Sequence, residues 1–340
     1  MNQQTIDRAA RELLIRDFLN AHGWGGADRR LLAGDASFRR YDRLILNGKP
    51  AVLMDAPPPM ENVAPFVRIG NLLHGLGFST PEILAVDQAN GFVLLEDLGD
   101  DTYTRLLNAG HAEAPLYSLA VDTLIELHRR LPAAALATLP EFDDARALRE
   151  VSLVLDWYWP AVHGAPIADD VRRGFEAAWR QVLPKRHAVP DSMALFDFHV
   201  DNMLLLPGRP GIKACGLLDF QDAVRAPLTF DLVSLLEDVR RSVPADLMAA
   251  MIDRYLAANP QIARQDFLIA YAVIGAQRNI RIAGTFARLL KRDGKPAYQR
   301  FMPRVWELIA LDLSAPALAP VADWFQRHLP PADRRVLATA

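Results

Sequence analysis

The sequence predicts an α+β protein, in which a small antiparallel sheet with one main helix is followed by a larger, mostly helical part. Up to about residue 98, short runs of β-type residues alternate with turn residues, and one stretch of helical spacing interrupts them. Beyond Leu98-Gly99, almost every segment except 195–222 carries apolar residues at helical spacing. We therefore expect two parts, residues 1–98 and residues 99–340.

The first part begins with an amphipathic helix, because apolar residues recur every four positions from Ile6 to Phe18 before the chain reaches Gly23. The pair Asn47-Gly48 is typical of a hairpin turn between two strands. Three strands, a helix and two more strands therefore make the predicted antiparallel sheet. The expected elements are strands at 29–33, 38–46, 51–54, 83–86 and 92–95, and a helix at 63–76.

The second part is predicted to consist of helices outside the segment 195–222. Each candidate is a stretch with apolar residues spaced three and four apart. The candidate helices lie near 116–131, 145–159, 169–183, 230–241, 245–257, 266–290 and 296–311.

Composition and charge argue against several classes of function. The net charge is −3 and the basic residues are dispersed, which argues against a nucleic-acid partner. The single cysteine, Cys215, excludes an internal disulfide and lies in an apolar run that predicts a core side chain. No apolar run has the length of a bilayer span, and Met1 to Arg16 lack the apolar centre of a secretory signal. We therefore expect a cytoplasmic protein that does not bind membranes.

The segment 195–222 carries two acids and an amide in an informative order. Asn202 follows Asp197 by five residues and begins an apolar run, and Asp219-Phe220 ends the next apolar run. A phosphoryl group in transfer needs a divalent cation and a carboxylate that orients the attacking hydroxyl, and Mg²⁺ prefers oxygen ligands. Taken alone, Asp197 and Asn202 are typical of a turn before a strand. The full ordered set instead favours phosphoryl transfer, with Asp197 as the base and Asn202 and Asp219 as metal ligands.

This segment resembles the catalytic region of the aminoglycoside phosphotransferases, relatives of the protein kinases. The catalytic loop of that family runs His-Gly-Asp-x-His-x-x-Asn, and its metal-binding strand ends in Asp-Phe. Here Leu195-Phe196 replaces the opening His-Gly, while Asp197, His199, Asn202 and Asp219 match the pattern. The resemblance implies a protein-kinase-like bilobal fold that uses ATP and Mg²⁺. Residues 1–98 would then form the nucleotide-binding lobe and residues 99–340 the catalytic and substrate lobe, together one catalytic unit.

The resemblance also assigns a nucleotide site to the first part. The loop over the phosphates would be Gly34-Asp35-Ala36-Ser37, and the hinge beside the adenine would include Glu96 and Leu98. In the family the third strand carries a phosphate-binding lysine paired with a helix glutamate, but here Met54 occupies that position, and the helix at 63–76 carries no acid. Another charge must neutralise the phosphates. The candidates are Arg39, which we assign to the nucleotide site, and also Arg40, Arg43 or a second Mg²⁺ shared by Asn202 and Asp219.

Longer phrases of the sequence are similar to the anomeric N-acetylmuramate/N-acetylglucosamine kinases of bacterial cell-wall recycling, and the Met54 substitution is part of this similarity. The resemblance implies ATP-dependent phosphorylation of the C1 hydroxyl of an amino sugar. The product would be a sugar 1-phosphate that a uridylyltransferase then uses. The phrases that carry the similarity are residues 34–41, 52–58, 95–100, 197–202, 277–279 and 292–296.

Several polar residues are candidates for binding the sugar, because sugar hydroxyls need convergent polar groups. For the lactyl carboxylate of a muramate-type substrate, an arginine is the natural partner, and Arg278 is favoured over Arg281 on the helix that carries Gln277. Asp231 is predicted to brace a loop or a helix start, and His128 to be a packed structural residue. The candidates near the catalytic segment are His199, Asp201, Gln221 and Asp222, although Asp201 equally fits a turn cap.

Two alternatives stay open from the sequence. An aminoglycoside- or choline-type kinase would act on a cationic substrate and need a strongly acidic pocket, whereas Arg225 accompanies the acids here. A nucleotide-binding pseudokinase is the second alternative, because Met54 removes the usual lysine. The complete set of Asp197, Asn202 and Asp219 argues against it, since a protein that only binds has no need of a base.

Overall fold

The computed structural model describes residues 8–34 and 38–338, which form two compact units. The first unit consists of the described residues up to Thr123 together with Val200–Asp222. The second consists of Leu124–His199 and the described residues from Ala223 onward. The two lobes proposed at 1–98 and 99–340 stay a prediction about domain organisation.

The first unit is built on a five-stranded antiparallel sheet with the predicted order of elements. Its strands lie in the order β1-β2-β3-β5-β4, and every neighbouring pair is antiparallel, which confirms the predicted sheet. The elements are α1 (Arg8–Ala21), β1 (Asp28–Gly34), β2 (Arg40–Leu46), β3 (Lys49–Asp55), α2 (Ala64–Gly75), β4 (Ile83–Asp87), β5 (Phe92–Glu96), α3 (Tyr103–Asn108) and α4 (Glu113–Arg130), which continues into the second unit.

The hairpin between β2 and β3 has the turn that its sequence predicts. Asn47 and Gly48 both have positive φ, 52° and 77°, which a two-residue hairpin of this type requires and which asparagine and glycine tolerate best. The register pairs Leu46 with Lys49 directly across the turn. The turn residues therefore determine which side chains of β2 and β3 share a face of the sheet.

Helix α1 packs its apolar face against one side of this sheet. Phe18 and Leu19 are buried together with Leu53 and Leu94 of the sheet, in a common apolar cluster. The same helix contributes Arg11, whose Nη2 lies 2.6 Å from Oδ1 of Asp55 at the end of β3. Only 9% of the Arg11 side chain and 5% of the Asp55 side chain is exposed, so α1 is joined to the sheet by a buried ion pair as well as by apolar contact.

The rest of the chain is mainly helical and contains four short strands. Strands β6 and β9 pair with each other, as do β7 and β8, both antiparallel. The elements are α5 (Ala133–Leu136), α6 (Asp144–Val151), a π-helical turn (Val154–Tyr158), α7 (Trp159–His163), α8 (Asp169–Val182), β6 (Asp191–Ala194), β7 (Met203–Leu205), β8 (Cys215–Leu217), β9 (Val224–Pro227), α9 (Phe230–Leu236), α10 (Ala245–Ala257), α11 (Arg264–Lys291), α12 (Met302–Leu313) and α13 (Ala319–His328), with 3₁₀ turns at Leu183–Ala188, Val200–Asn202, Gly211–Ala214, Pro296–Phe301, Pro316–Leu318 and Pro331–Asp333.

The hairpin of β7 and β8 belongs to the first unit and contains the single cysteine. Leu217 donates its backbone N–H to the carbonyl of Ser79 at 2.8 Å, which ties the hairpin to the chain just before β4. Cys215 is fully buried, and burial raises the pKa of its thiol to about 11. The prediction that Cys215 is a core residue is therefore confirmed.

The second unit is organised around α11, which is 28 residues long and buried over most of its length. At Gly284 the helix passes very close to the chain at Leu153, because a Cβ added to Gly284 would lie 2.3 Å from the carbonyl carbon of Leu153. Only glycine permits this approach. Helix α11 therefore lies directly against the start of the π-helical turn.

Three predicted helices differ from the structure. The helix expected at 230–241 ends at Leu236, because Asp238 accepts the N–H of Arg240 at 2.9 Å, a local bond that competes with helical hydrogen bonds. The stretch expected at 145–159 is interrupted by the π-helical turn, and the one expected at 296–311 begins as a 3₁₀ turn. Helical spacing of apolar residues therefore located these segments correctly without resolving their breaks.

No single helix within the described ranges is both long and apolar enough to span a membrane. One bent pair, Pro296–Leu313 with Pro316–His328, meets that test by length and composition alone.

Candidate active site

A cavity of about 450 Å³ lies within the first unit, a size typical of small-molecule sites. Apolar side chains form much of its wall, and Asn202 and Asp219 lie at its lining together with the acidic segment after β5. That segment is the predicted hinge, and its residues Glu96 and Leu98 line the cavity. The apolar lining residues include Leu32, Val52, Phe66, Leu95, Leu204 and Leu218.

Asn202 and Asp219 are brought together by the short hairpin between them. The backbone N–H of Leu218 donates to the carbonyl of Asn202 at 2.9 Å, which extends the pairing of β7 with β8. As a result, the Asn202 amide nitrogen lies 3.4 Å from Oδ2 of Asp219, although the two residues are 17 apart in sequence. Gln221 donates to the other carboxylate oxygen of Asp219 at 2.7 Å and to Asp222 at 3.2 Å.

The donor set at Asn202 and Asp219 fits a magnesium ion. Mg²⁺ commonly binds one or two protein oxygen ligands and completes its shell with water and substrate phosphates. One carboxylate and one amide side by side meet that requirement. Among the residues that the structure describes, no group of three or more His, Cys, Asp or Glu side chains could hold a metal. Bound Mg²⁺ would neutralise charge on a transferring phosphoryl group.

Arg39 is the one of the three predicted arginines that lies beside Asp219. Its Nη1 is 3.8 Å from Oδ1 of Asp219, and its Nε is 3.4 Å from Oε2 of Glu61. Arg40 instead pairs with Asp42 at 2.9 Å on its own strand. The structure therefore brings Arg39, and not Arg40, next to the predicted metal ligands.

Arg43 joins β2 to the hinge. Its guanidinium lies 2.6 Å from Asp97 and 2.9 Å from Asp100, both of which line the cavity. Glu96 is in turn paired with Arg209. The hinge acids are thus matched by arginines, and the cavity does not present an uncompensated negative wall at this end.

Met54 is the β3 residue for which the resemblance predicts a lysine in the family. It is fully buried in β3, two residues after Val52, and alternation along a strand puts these two side chains on the same face of the sheet. Val52 lines the cavity. The predicted phosphate loop gives less information, because Gly34 ends β1 and the residues that follow it, Asp35, Ala36 and Ser37, lie outside the described residues.

In the second unit, Asp231 holds the backbone directly before Asp197. Its carboxylate accepts the backbone N–H of Leu195 at 2.6 Å and that of Phe196 at 3.1 Å, which confirms its predicted loop-bracing role. Phe196 has φ 78°, a left-handed conformation that is costly for a residue with a large side chain. These contacts hold the backbone immediately before Asp197 in a strained conformation. They therefore determine the direction of the chain at Asp197.

Burial affects the protonation of this region. It raises the pKa of Asp231 to about 7, with a further contribution from the nearby charge of Asp197. It lowers the pKa of His199 well below its ordinary range, and the positive charges of Arg240 and Arg278 act in the same direction. His199 is therefore a neutral imidazole near pH 7, able to form hydrogen bonds without carrying charge.

The other residues predicted to bind sugar have contacts within the protein. Asp201 accepts a hydrogen bond from the hydroxyl of Thr104. Gln277 is fully buried and donates to Glu150 at 3.3 Å, and Arg278, which is 2% exposed, donates to the carbonyl of Glu237 at 3.3 Å. Their predicted contacts with a substrate stay predictions.

A buried acid pair lies beside Arg278 and was not predicted. Asn279 donates to Glu237 at 2.7 Å and to Asp312 at 2.9 Å, so one amide bridges two carboxyl groups. Burial raises the pKa of both groups, to about 7 for Glu237, and the charge of Glu237 raises that of Asp312 further. At least one carboxyl of the pair is therefore protonated near neutral pH.

Sequence reasoning also missed Glu61, the partner of Arg39. The predicted helix at 63–76 contains no acid, but Glu61 lies just before the observed helix begins at Ala64. Its position in a loop carries no periodic signal. The sequence offers one usable signal for Glu61: it is the last acidic residue before a helix that contains no acidic residue.

Comparisons with known proteins agree with this architecture. The model of the phosphotransferase enzyme family matches residues 28–267. The chain is 37% identical to an N-acetylmuramate/N-acetylglucosamine kinase of Caulobacter vibrioides, covering 96% of this chain and 98% of that protein. It is 35% identical to a Pseudomonas aeruginosa protein of the same name, covering 89% of this chain and 88% of that one.

Solved structures share the fold at much lower identity. An ADP-bound aminoglycoside phosphotransferase is similar with a TM-score of 0.60 and 14% identity, covering 94% of this chain and 99% of that one. An ethanolamine kinase of Plasmodium vivax is similar with a TM-score of 0.62 and 10% identity, covering 94% and 92%. The predicted protein-kinase-like α+β fold is therefore confirmed, and the family model, which spans most of the chain, shows that the chain belongs to the phosphotransferase enzyme family.

Proposed function

We propose that this protein is an ATP-dependent kinase for amino sugars, which phosphorylates the C1 hydroxyl of N-acetylmuramate and N-acetylglucosamine. The observation that carries the proposal is the 37% identity, over nearly the full length of both chains, to a protein named for those two sugars. The product would be the sugar 1-phosphate. We further propose that it serves peptidoglycan recycling in the cytoplasm and passes to a uridylyltransferase.

The proposed reaction transfers the terminal phosphoryl group of ATP to the C1 oxygen of the sugar and releases ADP. Asp197 would orient the C1 hydroxyl and accept its proton as the new P–O bond forms. A hemiacetal hydroxyl is more acidic than an ordinary alcohol, so a carboxylate of ordinary basicity suffices. The backbone hydrogen bonds from Leu195 and Phe196 to Asp231 support this role, because they fix the chain directly before Asp197.

The cavity of the first unit supports the assignment of the nucleotide site. Its apolar wall suits the faces of a purine, and backbone groups of the segment from Glu96 to Gly99 would bind the edge of the base. Asn202 and Asp219, at the lining of the same cavity, would hold Mg²⁺ on the phosphates. Arg39 would add positive charge there.

The sugar would be bound by polar groups of the catalytic segment. We assign His199, Asp201, Gln221 and Asp222 to its hydroxyl and acetamido groups. Gln277 and Arg278 are assigned to the lactyl side of N-acetylmuramate, for which an arginine provides the opposite charge. These assignments predict that Arg278→Ala weakens N-acetylmuramate more than N-acetylglucosamine, and equal losses would contradict the carboxylate contact.

The test is a comparison of acceptors with ATP and Mg²⁺, followed by ADP release. We expect turnover of N-acetylmuramate and N-acetylglucosamine, and none of kanamycin or choline. The methyl 1-glycoside of N-acetylglucosamine, in which the C1 oxygen is blocked, is the matched control and should be inert. Turnover of the blocked sugar would reject C1 as the site, and turnover of kanamycin or choline alone would reject the proposed substrate class.

A further inference from the structure

We propose that Arg39 supplies the positive charge on the nucleotide phosphates that the family obtains from a strand lysine, and that Glu61 positions it. The inference rests on the proposed nucleotide-dependent function of the cavity and deepens it. It assigns a binding role to a residue outside the third strand and a positioning role to an acid outside the helix.

The need for such a residue follows from Met54. The side chain of Met54 is buried and shares a face of β3 with Val52, which lines the cavity, so this position faces the nucleotide side of the sheet without a charge. A nucleoside triphosphate brings several negative charges to a site that already contains the carboxylate of Asp219. Positive charge from another element is therefore needed there.

The neighbouring arginines of β2 have other partners. Arg40 lies 2.9 Å from Asp42, whose side chain is only 2% exposed, so Arg40 compensates a buried carboxylate on its own strand. Arg43 lies between Asp97 and Asp100, at the hinge. Among the arginines proposed from the sequence, Arg39 alone extends to the predicted metal ligand.

The Arg39 side chain is mostly buried and has an acidic neighbour on either side. Only 14% of the Arg39 side chain is exposed, and its guanidinium lies between two carboxylates, with Glu61 at 3.4 Å and Asp219 at 3.8 Å. A guanidinium has five N–H donors in a fixed fork, so it can keep one acid as a partner while it donates to phosphate oxygens. The Glu61 side chain is 16% exposed, whereas Asp219, at 36%, is open to the cavity.

Glu61 fixes the backbone as well as the side chain of this segment. Its Oε1 accepts the backbone N–H of Phe38 at 3.1 Å, while Oε2 faces Arg39. One carboxylate thereby holds two consecutive residues directly before β2. This bridging is the reason to assign Glu61 a positioning role and not a direct contact with nucleotide.

The first experiment measures nucleotide affinity by calorimetry without any sugar acceptor. Arg39→Met should weaken ATP and ADP about tenfold or more, the effect of losing one charge-assisted hydrogen bond, and should leave adenosine unchanged. Arg39→Lys, which keeps the charge, should retain most of the affinity. Arg30→Met, the same change at an arginine whose side chain is 80% exposed, should bind all three ligands like the unchanged protein.

The outcomes of this experiment separate the possibilities. Unchanged ATP affinity in Arg39→Met would overturn the proposal, as would an equal loss for adenosine or an equal loss in Arg30→Met. The measurement needs no acceptor, so failure to phosphorylate amino sugars would reject the proposed substrate and leave this inference standing. Thermal unfolding of each variant verifies that it is folded.

The second experiment tests Glu61 with a double-mutant cycle. If Glu61 acts through Arg39, Glu61→Gln should weaken ATP binding by severalfold on its own and add little in the Arg39→Met protein. The KM for ATP should rise in Glu61→Gln, while kcat stays within about twofold. Losses that simply add, or a fall in kcat with an unchanged KM, would reject the positioning role.

Discussion

Asp219 lies at the lining of the cavity, where its carboxylate is contacted by the side chains of Asn202, Gln221 and Arg39. Asn202 and Gln221 donate to its two oxygens at 3.4 and 2.7 Å, and Arg39 lies 3.8 Å away. The backbone of Asp219 has φ 55°, a left-handed conformation that aspartate tolerates better than most residues. The carboxylate is thus oriented before any ligand arrives, which is the arrangement expected of a metal ligand.

Asp219→Asn should remove most of the effect of Mg²⁺ on nucleotide binding. The variant loses the formal negative charge that attracts the cation, so ATP affinity should become nearly the same with Mg²⁺ as with a chelator. Calorimetry under both conditions measures the difference. Asp28→Asn, an exposed change on β1, is the control and should keep the full Mg²⁺ effect. A full effect in Asp219→Asn would remove Asp219 from the metal site.

Asp197→Asn should lower kcat by about 10² to 10⁴-fold, the usual contribution of a positioned general base. Affinity for ATP should change little, because the proposed role of Asp197 concerns the acceptor. Initial rates and calorimetry measure the two quantities separately. An unchanged kcat would contradict the assignment of Asp197 as the base.

The buried pair of Glu237 and Asp312 makes a prediction about pH. Burial raises the pKa of both groups, so between their ordinary values and about pH 7 the folded protein binds more protons than the unfolded chain. Stability contributed by this pair is therefore present at low pH and is lost as the pH rises through that window. Asp312→Asn removes one ionising group and the repulsion between the two.

We compare the unfolding temperature of Asp312→Asn with that of the unchanged protein at pH 5 and at pH 8. The difference in favour of the variant should be larger at pH 8 by several degrees. Thermal unfolding at both values gives this difference directly. Glu307→Gln, an exposed change on the same helix, should show the same change in unfolding temperature between the two pH values as the unchanged protein. If Asp312→Asn also shows the same change with pH as the unchanged protein, the two carboxyl groups do not titrate as described.

At the scale of elements, α1 and β3 are joined by the ion pair of Arg11 and Asp55. The Arg11 guanidinium also lies 4.1 Å from the centre of the Phe92 ring, so its removal would affect an aromatic contact on β5 as well. A buried carboxylate without its partner is costly, whereas replacing both partners by apolar residues is often nearly neutral.

Arg11→Met should therefore lower the free energy of unfolding by about 3–5 kcal/mol, and Arg11→Met with Asp55→Leu should recover most of that loss. Urea denaturation provides the comparison. Arg30→Ala, which removes an exposed arginine, should stay within about 0.5 kcal/mol of the unchanged protein. A double variant as unstable as the single one would show that the ion pair itself stabilises the protein.

Elements with a strong periodic signal were predicted well from the sequence. The hairpin at Asn47-Gly48 and the helices at Ala245–Ala257 and Arg264–Lys291 match closely, because turn chemistry and apolar spacing are local properties. Helix Tyr103–Asn108 was missed because six residues span fewer than two helical periods. The break after Leu236 depends on buried polar contacts of Glu237 and Asp238, which no spacing in the sequence reveals.

At the scale of the whole molecule, one segment contributes to both units. In the segment 195–222, residues 195–199 belong to the second unit and Val200–Asp222 to the first. The sequence indicated this segment through the order of its acids and amide, since phosphoryl transfer restricts which residue types are useful. It could not indicate the environment of each side chain, such as Glu61 beside Arg39, because such contacts join distant parts of the chain.

The burial of Cys215 makes the protein convenient for site-specific fluorescent labelling. A thiol that is both inaccessible and held mostly protonated at neutral pH should not react with a maleimide dye, so the native cysteine need not be removed. Arg30→Cys, on the exposed face of β1, should take up one dye per molecule, and the unchanged chain should take up none while folded. Mass spectrometry counts the attached dye, and modification of Cys215 under native conditions would contradict its burial.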